Sequence, residues 1–477
     1  MAEQDTKLDP SPRSALVELL YLAMPTVAQM ASYTLMQFIN TWQLSRLGTD
    51  EPTATGNAGI ISFAIMCFGV GVLFLVNTLV SQHYGRGEYR ACGKFLWQGI
   101  WFSFVYSMLL FPLLPVFPRM FNVFGHPAQL VRMEASYMRI VTSLMIFQLI
   151  ATACGQFLLA ANRPNSVLLA AFVAVCCNVA SAWVMIFGHF GFGPMGVYGA
   201  AWATCFGTFV EMGMLLMLVF GSDLRERFNT LDWRFRAREF LLLVRYGAGS
   251  GIQILADVLA WSLFMALVMA QLGEATMAAN LFTLRYMSVS FMPAYGISQA
   301  VTALVGRYIG AGKPDIAVRR AHLAFALGGA YMLGCGVIMT VARYPLIHVF
   351  TRDPEVVRVG VVLLIFAGVY QLFDAMYVIY NGALRGAGDT FIPAMVTATL
   401  CWSITVAGGY WIAHTWPRIG VIGPWSAASF YGVVSGIFMW RRFHSGLWKQ
   451  IKLDRFDASN SGLESDTLSN LQLTAEK

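Results

Sequence analysis

Four ionisable side chains stand in otherwise apolar stretches of this sequence. Asp257 lies in Gly251–Trp261 (GIQILADVLAW), Asp374 in Tyr370–Met376 (YQLFDAM), Glu211 in Phe209–Gly213 (FVEMG) and Arg285 in Leu284–Met287 (LRYM). A charge held away from water is expensive and by default marks a functional position. Gln253 falls one helical turn before Asp257, and Gln371 one turn before Asp374, so each amide shares a face with its acid. Two acid–amide pairs turned into one cavity would hold a proton, a sodium ion or an organic cation. Two desolvated carboxylates side by side also resist ionising together, which makes protonation near neutral pH accessible. Glu211 has no such support and reads as a structural hydrogen bond or an ion pair with Arg285.

The elements that must carry these residues follow from composition. Of 477 residues, 57% are hydrophobic and 12% are charged, about half the charge of a soluble domain. Mean hydropathy is +0.61. The surrounding solvent is therefore lipid for most of the chain. A span needs roughly 20 apolar residues, which predicts helices near 15–40, 56–83, 95–118, 134–157, 166–188 and 196–220. A second set is predicted near 240–271, 278–309, 319–341, 357–383, 391–413 and 421–440. With both termini on one side, the segments of that side hold 21 Lys and Arg against 6 opposite, which places the termini in the cytoplasm. The expected organisation is a cytoplasmic start (1–14), a six-helix lobe (15–220), a basic cytoplasmic linker lying on the membrane (221–239), a second six-helix lobe (240–443) and a disordered cytoplasmic tail (444–477). Met1–Arg13 is polar, and the apolar run behind it reads as a span rather than a cleaved leader.

The net charge of +7 is spread between apolar stretches, so it reads as membrane topology rather than nucleic-acid binding. The eight cysteines lack the spacing of a zinc site and read as small hydrophobes. No clustered nucleophile, nucleotide loop or metal set points to an enzyme, and no cofactor is implied. The two halves repeat. Leu79-Val80 and Gly85-x-Gly87 recur as Leu304-Val305 and Gly310-x-Gly312, an offset of 225, while Gln29 recurs as Gln253 and Gly196-Val197-x-Gly199 as Gly420-Val421-x-Gly423, an offset of 224. Six spans per half make this a parallel repeat about an axis along the membrane normal, with a site expected between the halves. Pro25, Pro293 and the run Gly247, Gly249, Gly251 mark either bends or places of close helix packing. Tyrosine and tryptophan read as interfacial anchors.

Certain motifs resemble a known family. Ala383–Thr390 (ALRGAGDT) followed by Pro393, Phe291–Ala300 (FMPAYGISQA) and Gly193–Thr204 (GPMGVYGAAWAT) are similar to segments of the multidrug and toxic compound extrusion (MATE) transporters, and the resemblance runs from about residue 16 to 440. It implies an all-α membrane protein of twelve helices in two six-helix lobes, exporting organic cations in exchange for sodium ions or protons. In the NorM-like branch an acid in the seventh helix and another in the tenth bind the coupling ion, and Asp257 and Asp374 match those positions. The branch also carries an aspartate near the end of the first helix. Here Asn40 stands there and cannot carry the charge, which moves the expected seat of coupling to the second lobe. Asn178 resembles a polar position of the first lobe. Within the loop motif Arg385, Gly386, Gly388 and Asp389, the arginine and the aspartate are expected to lie on the cytoplasmic side and to brace the tenth helix against the eleventh. The resemblance implies a monomer in the plasma (inner) membrane, handling small cationic or amphipathic compounds. A lipid or polysaccharide-precursor flippase of the same superfamily is the nearest alternative, and a membrane-embedded enzyme is the alternative of another class.

Overall fold

The computed structural model describes residues 12–48, 50–123, 126–191, 193–451 and 453. Twelve helical rods follow one another among them. The first six are α1 (Pro12–Ser45), α2 (Asp50–Arg86), α3 (Tyr89–Leu110), α4 (Ala128–Ser143 and Met145–Ala160, bent by 46°), α5 (Pro164–Phe187) and α6 (Val197–Val219). The second six are α7 (Ala237–Leu263, running on through a π-helical stretch Phe264–Met269), α8 (Glu274–Gly310), α9 (Pro314–Val341), α10 (Pro354–Ala387), α11 (Phe391–Leu400, a π-helical stretch Cys401–Gly408, then Gly409–Thr415) and α12 (Ile422–His444). Nine of these rods are long and apolar enough to cross a membrane by themselves, and the bent α4 makes a tenth. The remaining two, α8 and α12, carry more Ser, Thr, Tyr and Gly. Protein rather than lipid covers much of them: Gly296–Tyr308 of α8 is buried throughout, and α12 packs along α10. A helix shielded in this way need not be apolar all round.

The packing repeats as the sequence does. α2 packs on α3 and α4 as α8 packs on α9 and α10, and α4 packs on α6 as α10 packs on α12. The lobes meet through α1 on α8, α2 on α7 and α2 on α8. Where α2 crosses α7 the backbones almost touch. A Cβ on Gly71 would lie 2.5 Å from the Gly251 Cα, and one on Gly247 would lie 2.7 Å from the Val72 carbonyl oxygen. These glycines therefore serve close packing between lobes, the small-residue contact favoured between membrane helices.

The inter-lobe hydrogen bonds fall between the middle of the bundle and the side bearing the termini. Thr26 donates to the Gly296 carbonyl at 2.8 Å. Nearer the end, Glu18 of α1 accepts from Arg320 Nε of α9 and from the Tyr308 hydroxyl of α8, each at 2.8 Å. Arg307 of α8 lies 4.0 Å from the same carboxylate and donates to Asn162, in the turn after α4, at 3.1 Å. Both arginines are buried.

Two segments outside the rods pack against them. The stretch 221–239 begins as a short helix, Ser222–Phe228, whose Leu224 and Phe228 are buried. Its continuation is strapped onto α3. Trp97, Gln98 and Trp101 of α3 donate to the carbonyls of Thr230, Arg234 and Trp233 at 2.7, 3.1 and 3.0 Å. Beyond α12 the chain does not leave the fold at once. Trp448 stacks on Phe443 at 5.2 Å, and the buried Leu453 lies against Gly388. Residues 454–477 of the expected tail, and all but the last three residues of 1–14, lie outside the described residues.

Candidate cation site in the second lobe

Four helices of the second lobe build the site. α7 contributes Gln253 and Asp257, α10 contributes Tyr370, Asp374 and Tyr377, α11 contributes Thr397 and α12 contributes Tyr431. The Tyr377 hydroxyl donates to Asp257 Oδ2 at 2.8 Å, and the Tyr431 hydroxyl approaches Oδ1 at 3.4 Å. Gln253 Nε2 donates to the Tyr377 oxygen at 3.0 Å and to Thr397 Oγ1 at 3.1 Å, which fixes the rotamer of the phenol. Asp257 is thus a half-buried carboxylate held by neutral donors. Asp374 is 7% exposed and has no hydrogen-bond partner among the described residues. The two acids share a field: the charge of Asp257 acts at Asp374, and both act at Tyr370. Arg285 is exposed, and among the described residues no Lys, Arg or His forms an ion pair with either acid.

A buried charge without a partner is strongly unfavourable, and a mobile cation or a proton removes the cost. The phenol oxygens and the ring faces of Tyr370, Tyr377 and Tyr431 can also accept a cation. The described residues contain no cluster of three or more His, Cys, Asp or Glu.

The sequence reading brought both aspartates to this lobe, and the structure places them there with Gln253. Gln371 is different. It turns toward α9, with Nε2 3.7 Å from Met339 Sδ and a buried Oε1 that has no partner. The one-turn offset from Asp374 sets a face only to within a broad arc, and α10 has neighbours on several sides. The tyrosines were missed because a buried phenol and an interfacial anchor look alike in sequence. The available signal was Tyr rather than Phe three residues after Asp374.

In the first lobe Asn40 Nδ2 donates to Asn178 Oδ1 at 2.9 Å, and Asn178 Nδ2 donates to the Ala203 carbonyl at 3.1 Å. The pair is uncharged, and Asn40 Oδ1 lacks a partner. Glu211 is buried and accepts from the Tyr33 hydroxyl, not from Arg285.

The loop motif is buried, and its contacts differ from those expected. Gly388 has φ +87°, the left-handed turn that ends α10. Asp389 accepts from Arg442 Nε of α12 at 2.8 Å. Arg385 lies with its guanidinium 4.9 Å from the Phe74 ring of α2. Its carbonyl accepts from Thr78, at 2.8 Å, and that of Gly386 from Gln82, at 3.0 Å. The motif therefore ties α10 to α12 and to the opposite lobe, not to α11.

The MatE family model matches residues 25–184 and 254–411, one segment in each lobe. A "Probable multidrug resistance protein NorM" of Chromobacterium violaceum is 26% identical over 430 residues, covering 88% of this chain and 91% of its own. Its namesake in Burkholderia pseudomallei is 29% identical over 432 residues, covering 89% and 91%. The solved structure described as "Crystal structure of eukaryotic MATE transporter AtDTX14" superposes with a TM-score of 0.82 at 18% identity, covering 92% of this chain and 97% of that one. A second, "Outward-facing conformation of a multidrug resistance MATE family transporter of the MOP superfamily", gives 0.82 at 17% identity, covering 91% and 96%. At those identities the superpositions establish the fold, twelve helices in two lobes.

Proposed function

The chain belongs to the MatE family, and from that premise we propose that it is a secondary active antiporter exporting cationic or amphipathic organic compounds in exchange for sodium ions or protons. It acts as a monomer in the plasma (inner) membrane with both termini in the cytoplasm. The observation that carries the reading is the buried, unpartnered Asp374 within the field of Asp257, inside one lobe. Entry of one cation relieves the repulsion between the two carboxylates. An exported organic cation competes for the same negative field. A ligand shifts a conformational equilibrium only by its differential affinity for the two states. The acids must therefore change their spacing or exposure as the lobes rock. Helix α7 carries both Asp257 and the glycine crossing with α2, so it links the two events. The relatives' description as multidrug resistance proteins supports the class of cargo.

The test is export of ethidium, a fluorescent organic cation, from vesicles in which a sodium gradient and a proton gradient are imposed separately. One of them should drive accumulation against the ethidium gradient. If neither does so in vesicles shown to hold folded protein, the antiport reading is wrong.

A further inference from the structure

We propose that Glu211 is a second proton-exchanging site, seated in the first lobe and built as the counterpart of the Asp257 site. The proposal rests on the antiport reading for its role in transport, but the site stands on its own geometry. With the repeat offset of 224, Gln29 corresponds to Gln253 and Tyr33 to Asp257. In the second lobe an amide donates to a phenol and the phenol donates to a carboxylate: Gln253 to Tyr377 at 3.0 Å, Tyr377 to Asp257 at 2.8 Å. The first lobe holds the same chain: Gln29 Nε2 donates to the Tyr33 oxygen at 3.3 Å, and Tyr33 donates to Glu211 Oε1. What differs is which helix carries which group. The second lobe has its acid on α7 and its phenol on α10. The first lobe has its phenol on α1, where the repeat mate of Asp257 stands, and its acid on α6. The first lobe has thus kept a carboxylate of its own even though Asn40 is neutral.

The environment favours a proton over a metal ion. Glu211 is 5% exposed. Tyr33 is the titratable group in hydrogen-bonding distance of it. From the other helices packed on α6, Tyr137 of α4 is turned toward Thr204 and Cys205, Arg139 of α4 is exposed, Cys154 of α4 is sealed in the lobe's core, and Cys176 and Cys177 of α5 are exposed and half-buried. Thus no cation is paired with the carboxylate among the described residues. A hard metal ion collects about six or more oxygens, and one carboxylate, one phenol and one amide fall short of that. A proton needs only the carboxylate, and the phenol can reorient between donating to the ionised form and accepting from the protonated one. A purely structural hydrogen bond from Tyr33 would not need a charge and would be served equally by glutamine.

The experiment is infrared difference spectroscopy of the purified full-length protein titrated between about pH 5 and pH 9. Variants are Glu211→Gln, Glu211→Asp, Tyr33→Phe and the double variant Asp257→Asn/Asp374→Asn, each checked for folding by its melting temperature. Glu211→Gln should remove one carboxylic-acid C=O band that the double aspartate variant keeps. Glu211→Asp should retain a shifted band. Tyr33→Phe should move its midpoint by about a pH unit, a tenfold change in proton affinity. Protons released per ethidium bound should fall by about one in Glu211→Gln. If the spectra of a folded Glu211→Gln and of the parent superimpose over the titration, the proposal is overturned. If the Glu211 band titrates while neither ion gradient drives export, the site stands and the antiport reading fails.

Discussion

Replacing Glu18 by glutamine keeps the shape of the side chain and removes the charge that joins α1 to α8 and α9. Arg320, 5% exposed, and Arg307, 8% exposed, then face a neutral amide. Removing one partner of a buried pair costs about 3–5 kcal/mol. The Glu18 side chain is 22% exposed, and a glutamine oxygen can still accept one bond, so the appropriate figure here is about 1.5–3 kcal/mol. Only conformations in which the lobes meet on the terminal side bear that cost. Their population relative to the parted arrangement should fall about tenfold to 150-fold. The assay is the distance between spin labels at Val17 and Lys313, both exposed, in a background without reactive cysteines. Glu18→Gln should add or enlarge a longer-distance population, Glu18→Asp should largely restore the parental one, and Glu18→Gln should couple with Arg320→Gln in a double-mutant cycle. A folded Glu18→Gln with the parental distance distribution and parental export rate would refute the reasoning.

The other expectations concern single sites. Asp257→Asn and Asp374→Asn should each reach the membrane and bind ethidium, yet lose ion-driven export by about a hundredfold, the loss of roughly 2.7 kcal/mol of coupling; vesicle transport reads this directly, and parental accumulation in both would exclude the aspartates from coupling. Asp389→Asn leaves Arg442 without its carboxylate at the end of α10 and should lower unfolding stability by about 2–4 kcal/mol, measured as melting temperature against Arg442→Gln and the double variant. Gly71→Val forces α2 and α7 apart at a 2.5 Å approach and should cost about 1–3 kcal/mol, seen as lower thermal stability; unchanged melting would mean the crossing is looser than its geometry.

The spans were legible because lipid leaves the chain little choice: the backbone must satisfy itself within helices, and those helices must be apolar. The rods accordingly begin and end within several residues of the expected limits for most of the chain. Their internal irregularities were not legible. The bend at Leu144 and the π-helical stretches Phe264–Met269 and Cys401–Gly408 lie within continuous apolar runs whose composition does not distinguish them from regular helix. Asp257 and Asp374 stood out because a carboxylate in lipid is costly. Tyr377 and Tyr431 did not, because a phenol is tolerated at many depths. The loop at 384–390 read as a brace between the tenth and eleventh helices, whereas the carbonyls of Arg385 and Gly386 are taken up by Thr78 and Gln82 of the other lobe. That contact joins residues about three hundred positions apart in sequence, a distance over which local pattern carries no information.

The crossing of α2 and α7 at Gly71 and Gly251 has a mechanical consequence. Most helix pairs interlock ridge into groove and so hold discrete angles. Two backbones meeting through glycine present no ridges at the point of contact, and the pair can roll there without first disengaging side chains. The crossing acts as a smooth bearing, and the contacts around Glu18 supply the latch. A bearing without notches also transmits load. The angle between the lobes should therefore respond to the thickness and lateral tension of the surrounding bilayer, and a thinner membrane, which each helix meets by tilting, would bias the resting posture of the whole molecule before any solute binds.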